Sequence, residues 1–302
     1  MDPALIARND VFPASRALAL GMSRTELRRL LREGRVVRLH RGWYSSRQPE
    51  DDIDQHLLRV EALLTEYAGH AVATNASALL RLGLPTYRPD LARVHLVLTD
   101  PALHRHRKPD LVVHPFVPVP EGLEPTRRGT VHPAVAMAAC GLPDPRAFLV
   151  AADAGLGRGL VSREQLARAV DGLGRRRGVA GVRAVLDWCD PRHESPGESL
   201  TAYVLRMAGF ALEPQFGVPG TEHWTPGGQG YRADFRIAGT RVLVEFDGRV
   251  KYTDQRSVWD EKVREDRIRS LGYEVIRLTW ADLRDPVSVR AKVIAALRRA
   301  GA

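Results

Sequence analysis

Two periods run through the hydrophobic pattern of this chain. Between Tyr231 and Asp247 apolar and polar residues alternate as in a half-buried strand. Gly239-Thr240, between the runs 231–237 and 241–247, suits a two-residue II′ hairpin turn. With that turn residue 238 pairs with 241. Asp234 then lies opposite Glu245 and on the same face as Asp247, while Val242, Val244 and Phe246 point the other way. A turn moved back to Ala238-Gly239 keeps the three acids on one side, but a slip of one residue does not.

Helical spacing governs most of the rest. A helical run over 14–19 is interrupted at Gly21-Met22-Ser23. Ser23 then caps a helix through Glu33, with Leu27, Leu30 and Leu31 at helical spacing and Gly34 as its stop. Arg35 to Leu39 and Gly42 to Tyr44 read as short strands, so the order is helix, turn, helix, wing. Ile53, Leu57, Val60, Leu64 and Tyr67 define one face of a further helix, and Asn75 caps a short helix through Leu82. Strands over Val94–Thr99 and Leu111–Phe116 are joined by the basic loop His104–Lys108. Pro115, Pro118 and Pro120 then mark either a boundary or an edge strand.

Helices follow near 133–140, 145–155, 162–171 and 178–188, the third opened by a Ser162/Gln165 capping box. A linker over Asp190-Pro191-Arg192-His193 leads to Ser195-Pro196-Gly197-Glu198, another capping box, on a helix that turns Leu200, Tyr203, Val204 and Met207 inward. A strand near 213–218, the hairpin, a helix over 257–271, a strand over 274–278 and a helix over 287–299 complete an α/β sandwich.

Charge narrows the function classes. The chain has 302 residues, a formal charge of +9, and 45 Lys and Arg of which only four are Lys, so an acidic partner is expected, double-stranded DNA first. An arginine excess also follows from a GC-rich genome. No apolar run approaches the ~20 residues of a membrane span and the first ten residues hold no signal-peptide core, so a cytoplasmic protein without a membrane partner is expected. Cys140 and Cys189 match no metal or redox spacing and read as core residues.

Three carboxylates on one strand face repel one another and call for a cation. Oxygen ligands completed by water and phosphate suit Mg²⁺ or Mn²⁺, although the same alternation also describes a polar sheet face meeting solvent. Asp234, Glu245-Phe246-Asp247 and the helical Glu198 together resemble the PD-(D/E)XK nuclease core, in the branch similar to very-short-patch-repair endonucleases. That resemblance covers the last third of the chain and implies a metal-dependent DNA endonuclease. Asp234 and Glu245 would be metal ligands and catalytic residues, Asp247 a further ligand or base, and Glu198 a contributor to the metal shell. Asp247 stands where the family pattern has Lys, and Lys251 or Lys262 is the catalytic cation available instead. Glu198 also has a purely local reading, as the acceptor that completes its own helix cap.

At the other end, residues 1–48 hold ten arginines against four acids. Arg24, Arg28 and Arg32 lie on the polar side of the second helix and Arg35, Arg38 and Arg41 on the wing, which suits a helix in a major groove flanked by phosphate contacts. An arginine-rich polar face also reads simply as a solvated one. Leu39-His40-Arg41-Gly42-Trp43-Tyr44 resembles the winged-helix domain of AbiEi-like antitoxins, and Ala76 to Pro85 extends the similarity weakly.

The resulting expectation is an α/β multidomain chain. It has a winged helix-turn-helix over 1–48, an antitoxin-like mixed α/β region over 49–190 and a restriction-endonuclease-like α/β/α core over 191–302. The principal function expected is DNA cleavage. The alternative is a non-catalytic type IV antitoxin-like repressor with a degenerate nuclease fold and a nucleotidyltransferase toxin as partner.

Overall fold

Local capping sets the first helices. In the computed structural model, which describes residues 2–224, 230–248 and 265–301, Ser23 Oγ accepts the Glu26 N–H at 3.0 Å and opens the helix Arg24–Arg32. The helix stops at Gly34, whose φ of +69° is one that a residue without Cβ adopts freely. Strands β1 (Val11–Pro13), β2 (Val37–His40) and β3 (Trp43–Ser45) form an antiparallel sheet in the order β1-β3-β2. Ile6, Phe12, Ala17, Met22, Leu27, Leu30 and Val36 pack into one core that joins the helices Ala14–Ala19 and Arg24–Arg32 to this sheet.

The chain falls into two compact units, one of residues Met1–Ala151 with Val161–Ala184 and the other of Ala152–Leu160 with Val185–Ala302. In the first unit the helix Asp52–Tyr67 buries His56, Leu58, Val60, Ala62 and Leu63, whereas Ile53 is exposed. The single expected stripe holds only in part, with Val60 buried and Leu57, Leu64 and Tyr67 half-buried, because two sides of this helix are covered. Leu58 and Ala62 meet Val11, Leu39 and Trp43. On the other side His56 donates from Nδ1 to the Leu91 carbonyl at 3.0 Å and accepts at Nε2 from Ser77 Oγ at 3.0 Å.

A second sheet, in the order β4-β5-β7-β6, comprises β4 (Ala71–Ala73), β5 (Val94–Leu98), β6 (His106–Lys108) and β7 (Leu111–His114), with β5 and β7 parallel. Part of the expected basic loop is therefore strand, with His106 paired to Val113 across β6 and β7. Asn75 does not cap its helix. It is the first helical residue of Asn75–Arg81 with φ at +50°, Thr74 stands at the cap, and no side-chain cap bond forms. The Ser162/Gln165 capping box is present, with bonds of 3.2 and 2.9 Å.

The second unit holds β8 (Leu212–Gly217), β9 (Arg232–Ile237), β10 (Val242–Asp247) and β11 (Glu274–Thr279) in the order β11-β10-β9-β8, with β10 and β11 parallel and the other pairs antiparallel. Leu243 pairs with Arg236 and Val244 with Phe235, the register expected from the acid pattern. The turn itself closes one residue earlier than expected, from Thr240 N to Ile237 O at 3.1 Å, with Gly239 at φ +72°.

Residues 265–270 are helical, and Ile268 packs in the cluster of Leu243 and Val218. Gly197, at the start of the helix Pro196–Met207, lies so close to Phe246 that a Cβ there would stand 1.9 Å from its ring. Leu243 and Phe246 have opposite parity on β10, so the two helical segments cover opposite faces of the sheet. Leu200 and Val204 are buried as expected, but Met207 is 61% exposed because the helix ends there without cover.

The expected linker is no tether. Asp190 and His193 are buried, Asp153 Oδ1 accepts the Asp190 N–H at 2.8 Å, and its Oδ2 pairs with His193 Nδ1 at 2.6 Å. Neither cysteine forms a disulfide among the described residues; burial pushes the Cys140 thiol up to about 12. Among the described residues no helix is long and apolar enough to cross a membrane.

Candidate functional site

The packing of Leu27 and Leu30 fixes the rotation of the helix Arg24–Arg32 and leaves Arg24, Arg28 and Arg32 exposed at successive i+4 positions. Arg35 before β2, Arg38 on β2 and Arg41 in the β2–β3 turn are exposed as well. Among the described residues none of these six forms an ion pair, and Arg38 makes only a long 3.4 Å bond to the nearby His40 carbonyl. Other arginines of the same region are tied into the fold. Arg16 Nε donates to the Ile6 carbonyl at 2.7 Å, and Arg29 pairs with Glu33 at 2.8 Å. Arg47 reaches Asp54 Oδ1 at 2.7 Å and Asp10 Oδ2 at 2.8 Å, and the hydrogen bonds to these carboxylates raise its pKa. Six guanidinium groups on a helix and an adjoining strand pair are thus exposed and outside the ion pairs of the described residues.

The acid face of the second unit is built differently. Glu198 is only 8% exposed, and its carboxylate accepts from the Glu194 N–H (2.9 Å), Ser195 Oγ (2.8 Å) and Gln215 Nε2 (2.9 Å). Its local cap reading is therefore realised, although the backbone bond goes to Glu194 and not to the cap residue itself. Asp234 Oδ2 accepts the Phe246 N–H at 2.7 Å. Desolvation raises its carboxyl to about 6 against the pull of that bond, and the nearby Glu198 and Glu194 charges push the same way as burial.

Continuing the β9–β10 register sets Asp234 opposite Glu245, but Glu245 bonds across the parallel pair to Arg277 at 3.4 Å, and Arg277 reaches Glu265 at 3.1 Å. Asp247 ends β10, half-buried and beside Thr279. Lys251 and Lys262 lie outside the described residues. Among the described residues no group of three or more His, Cys, Asp or Glu is disposed to hold a metal ion.

Gln215 and Arg277 are participants that the sequence reading missed. Arg277 was accessible in principle, because it sits on an expected strand and a parallel register places it beside Glu245. Gln215 was not: it is a strand residue at φ +55°, and nothing in the Glu-Pro-Gln-Phe context marks a left-handed position.

Comparison with known proteins separates the two ends. A family model described as a transcriptional regulator, AbiEi antitoxin, matches residues 3–46, so the N-terminus carries a regulator domain of that type. Two uncharacterized Mycobacterium tuberculosis proteins, MT2308 and Rv2248, are each 28% identical over 281 residues, covering 92% of this chain and 98% of theirs. The crystal structure of the RV2827C protein from the same species aligns with 64% of this chain and 75% of its own at 19% identity and a TM-score of 0.36.

Proposed function

We propose that this chain is a DNA-binding transcriptional regulator that engages duplex DNA through its N-terminal helices and strand pair. The observation that carries this reading is the sorting of arginines. Those at 24, 28, 32, 35, 38 and 41 are exposed and without ion pairs among the described residues, within the segment matched by the antitoxin regulator model. The helix–turn–helix followed by short strands suits a winged helix whose second helix enters the major groove while the β2–β3 turn meets phosphates. An antitoxin-type regulator also admits a toxin partner, a nucleotidyltransferase being the kind its resemblance implies.

The direct test is fluorescence anisotropy of the full chain on its own upstream DNA and on a scrambled duplex of equal length. A regulator binds the first more tightly at ~0.15 M salt. Absence of duplex binding even at low salt removes the proposal.

A second reading, a metal-dependent endonuclease in the second unit, draws on one observation: a carboxyl at Asp234 raised by burial, with the Glu198 charge pushing the same way. The residues do not fit a Mg²⁺ or Mn²⁺ centre as they stand. Glu198 is engaged by three donors, Asp234 by one and Glu245 by Arg277. Catalysis by Asp234, Glu245 and Asp247 would require these bonds to be given up. If the site is a nuclease, Mg²⁺ or Mn²⁺ raises the melting temperature and plasmid DNA is cut; neither effect accompanies the regulator reading alone.

A further inference from the structure

The stretch from Pro115 to Pro120 is neither helix nor strand, and it forms one wall of a cavity of about 510 Å³ in the first unit. Val72 and Val97 from β4 and β5, Val135 and Ala139 from the helix Pro133–Cys140, and Phe116 and Leu173 make most of its surface apolar. The volume lies within the ~300–1,000 Å³ range of sites that enclose small organic ligands.

Its polar groups are few and none is anionic. Arg105, Arg176, His114, Asn75, Thr74 and Thr99 line the cavity, and no Asp or Glu does. Both arginines are exposed, and among the described residues neither guanidinium has an ion-pair partner. Asn75 Oδ1 accepts from Thr74 Oγ1 at 3.3 Å, which leaves its amide N–H groups without a protein partner among the described residues. Asn75 also holds a φ of +50°, a left-handed conformation that costs free energy for a residue with Cβ and concentrates at ligand sites. His114 Nε2 lies 3.1 Å from His95 Nδ1, and burial together with the Arg176 and Arg107 charges lowers its pKa.

An apolar chamber with donors and cations but no carboxylate rejects bases and free cations and accepts a molecule with a hydrocarbon body and one anionic end. We propose that this cavity binds a small amphipathic carboxylate, its hydrocarbon part against Val72, Val97, Val135 and Phe116 and its carboxylate toward Arg105 and Arg176. Guanidinium forks match a carboxylate geometrically, and withdrawal of the hydrocarbon from water supplies the remaining affinity. The proposal concerns ligand binding only and is independent of the DNA reading.

Isothermal titration of the full chain tests it with decanoate as the probe, and with acetate and decan-1-ol as its two halves. Decanoate is expected to bind saturably and raise the melting temperature, with each half weaker by roughly tenfold or more. The variant Arg105→Gln/Arg176→Gln changes only exposed side chains, so it is expected to fold normally. It should lose roughly tenfold in decanoate affinity while decan-1-ol binding is unchanged. Val135→Phe, which fills the chamber, is expected to weaken both. Absence of saturable decanoate binding, equal affinity for decan-1-ol, or undiminished decanoate binding by the double-arginine variant overturns the proposal.

Discussion

The arginine surface of the first unit and the acid face of the second are both dense in charge, yet the charges have opposite fates. Arg24, Arg28 and Arg32 point outward from a helix held by Leu27 and Leu30, and the fold makes no demand on their guanidinium groups. Glu198, Asp234 and Glu245 are bound by their own protein: to the start of a helix, to a strand N–H and to a neighbouring arginine. A charge kept out of internal bonds costs little at the surface and remains available to a partner. One that already receives three hydrogen bonds is part of the structure, and recruiting it for chemistry means losing those bonds. The contrast is what favours the first surface as the recognition element of the proposed function and stability as the role of most of the second.

Glu198→Ala should give the largest stability effect. It removes the common acceptor of Glu194 N, Ser195 Oγ and Gln215 Nε2 in a buried setting, which is expected to cost about 2–3 kcal/mol and a clear drop in melting temperature. A melting curve that does not move would place Glu198 outside the structural class and break the comparison.

Asp234→Asn should give a smaller, pH-dependent change. The folded carboxyl, at about 6, lies above its ordinary value, so the fold favours the protonated acid. That contribution is complete below the unfolded pKa of ~3.9 and is lost as pH rises through the folded value. Wild type should therefore lose melting temperature between about pH 4 and 6 relative to Asp234→Asn, which keeps an acceptor for the Phe246 N–H. Parallel pH profiles for the two proteins would show that Asp234 is not held in this way.

Arg29→Ala should give the smallest effect. Its exposed i,i+4 pair with Glu33 contributes about 0.3–0.5 kcal/mol. Because Arg29 is engaged internally, its loss should reduce DNA affinity less than Arg28→Ala does. The reverse order in a binding titration would mean that ion pairing within the helix does not sort the arginines.

Parity made part of this legible in the sequence. Residues 231–247 specify their register through alternation, so Arg236 with Leu243 and Phe235 with Val244 followed once a hairpin was assumed. The turn depended on local bonding that alternation does not encode: Thr240 Oγ1 and N both donate to the Ile237 carbonyl. The buried sides of Asp52–Tyr67 were obscured because that helix serves two partners, and a stripe search assumes one. Strands β4 and β6, of three residues each, are too short to show a period. At the acid face the residue types and order were readable, but their bonding was not. Whether a carboxylate meets Arg277, a backbone N–H or a metal depends on neighbours from distant strands and on Gln215 in a conformation its residue type does not announce.

The most direct measurement of the central claim is the salt dependence of duplex binding for wild type and for Arg24→Ala/Arg28→Ala/Arg32→Ala, followed by anisotropy from ~0.05 to ~0.2 M salt. If the three guanidinium groups meet phosphates, the triple variant binds weakly, melts like wild type, and shows a log–log slope shallower by about 2.7. Equal slopes and equal affinities for the two proteins would contradict the assignment of this surface to DNA.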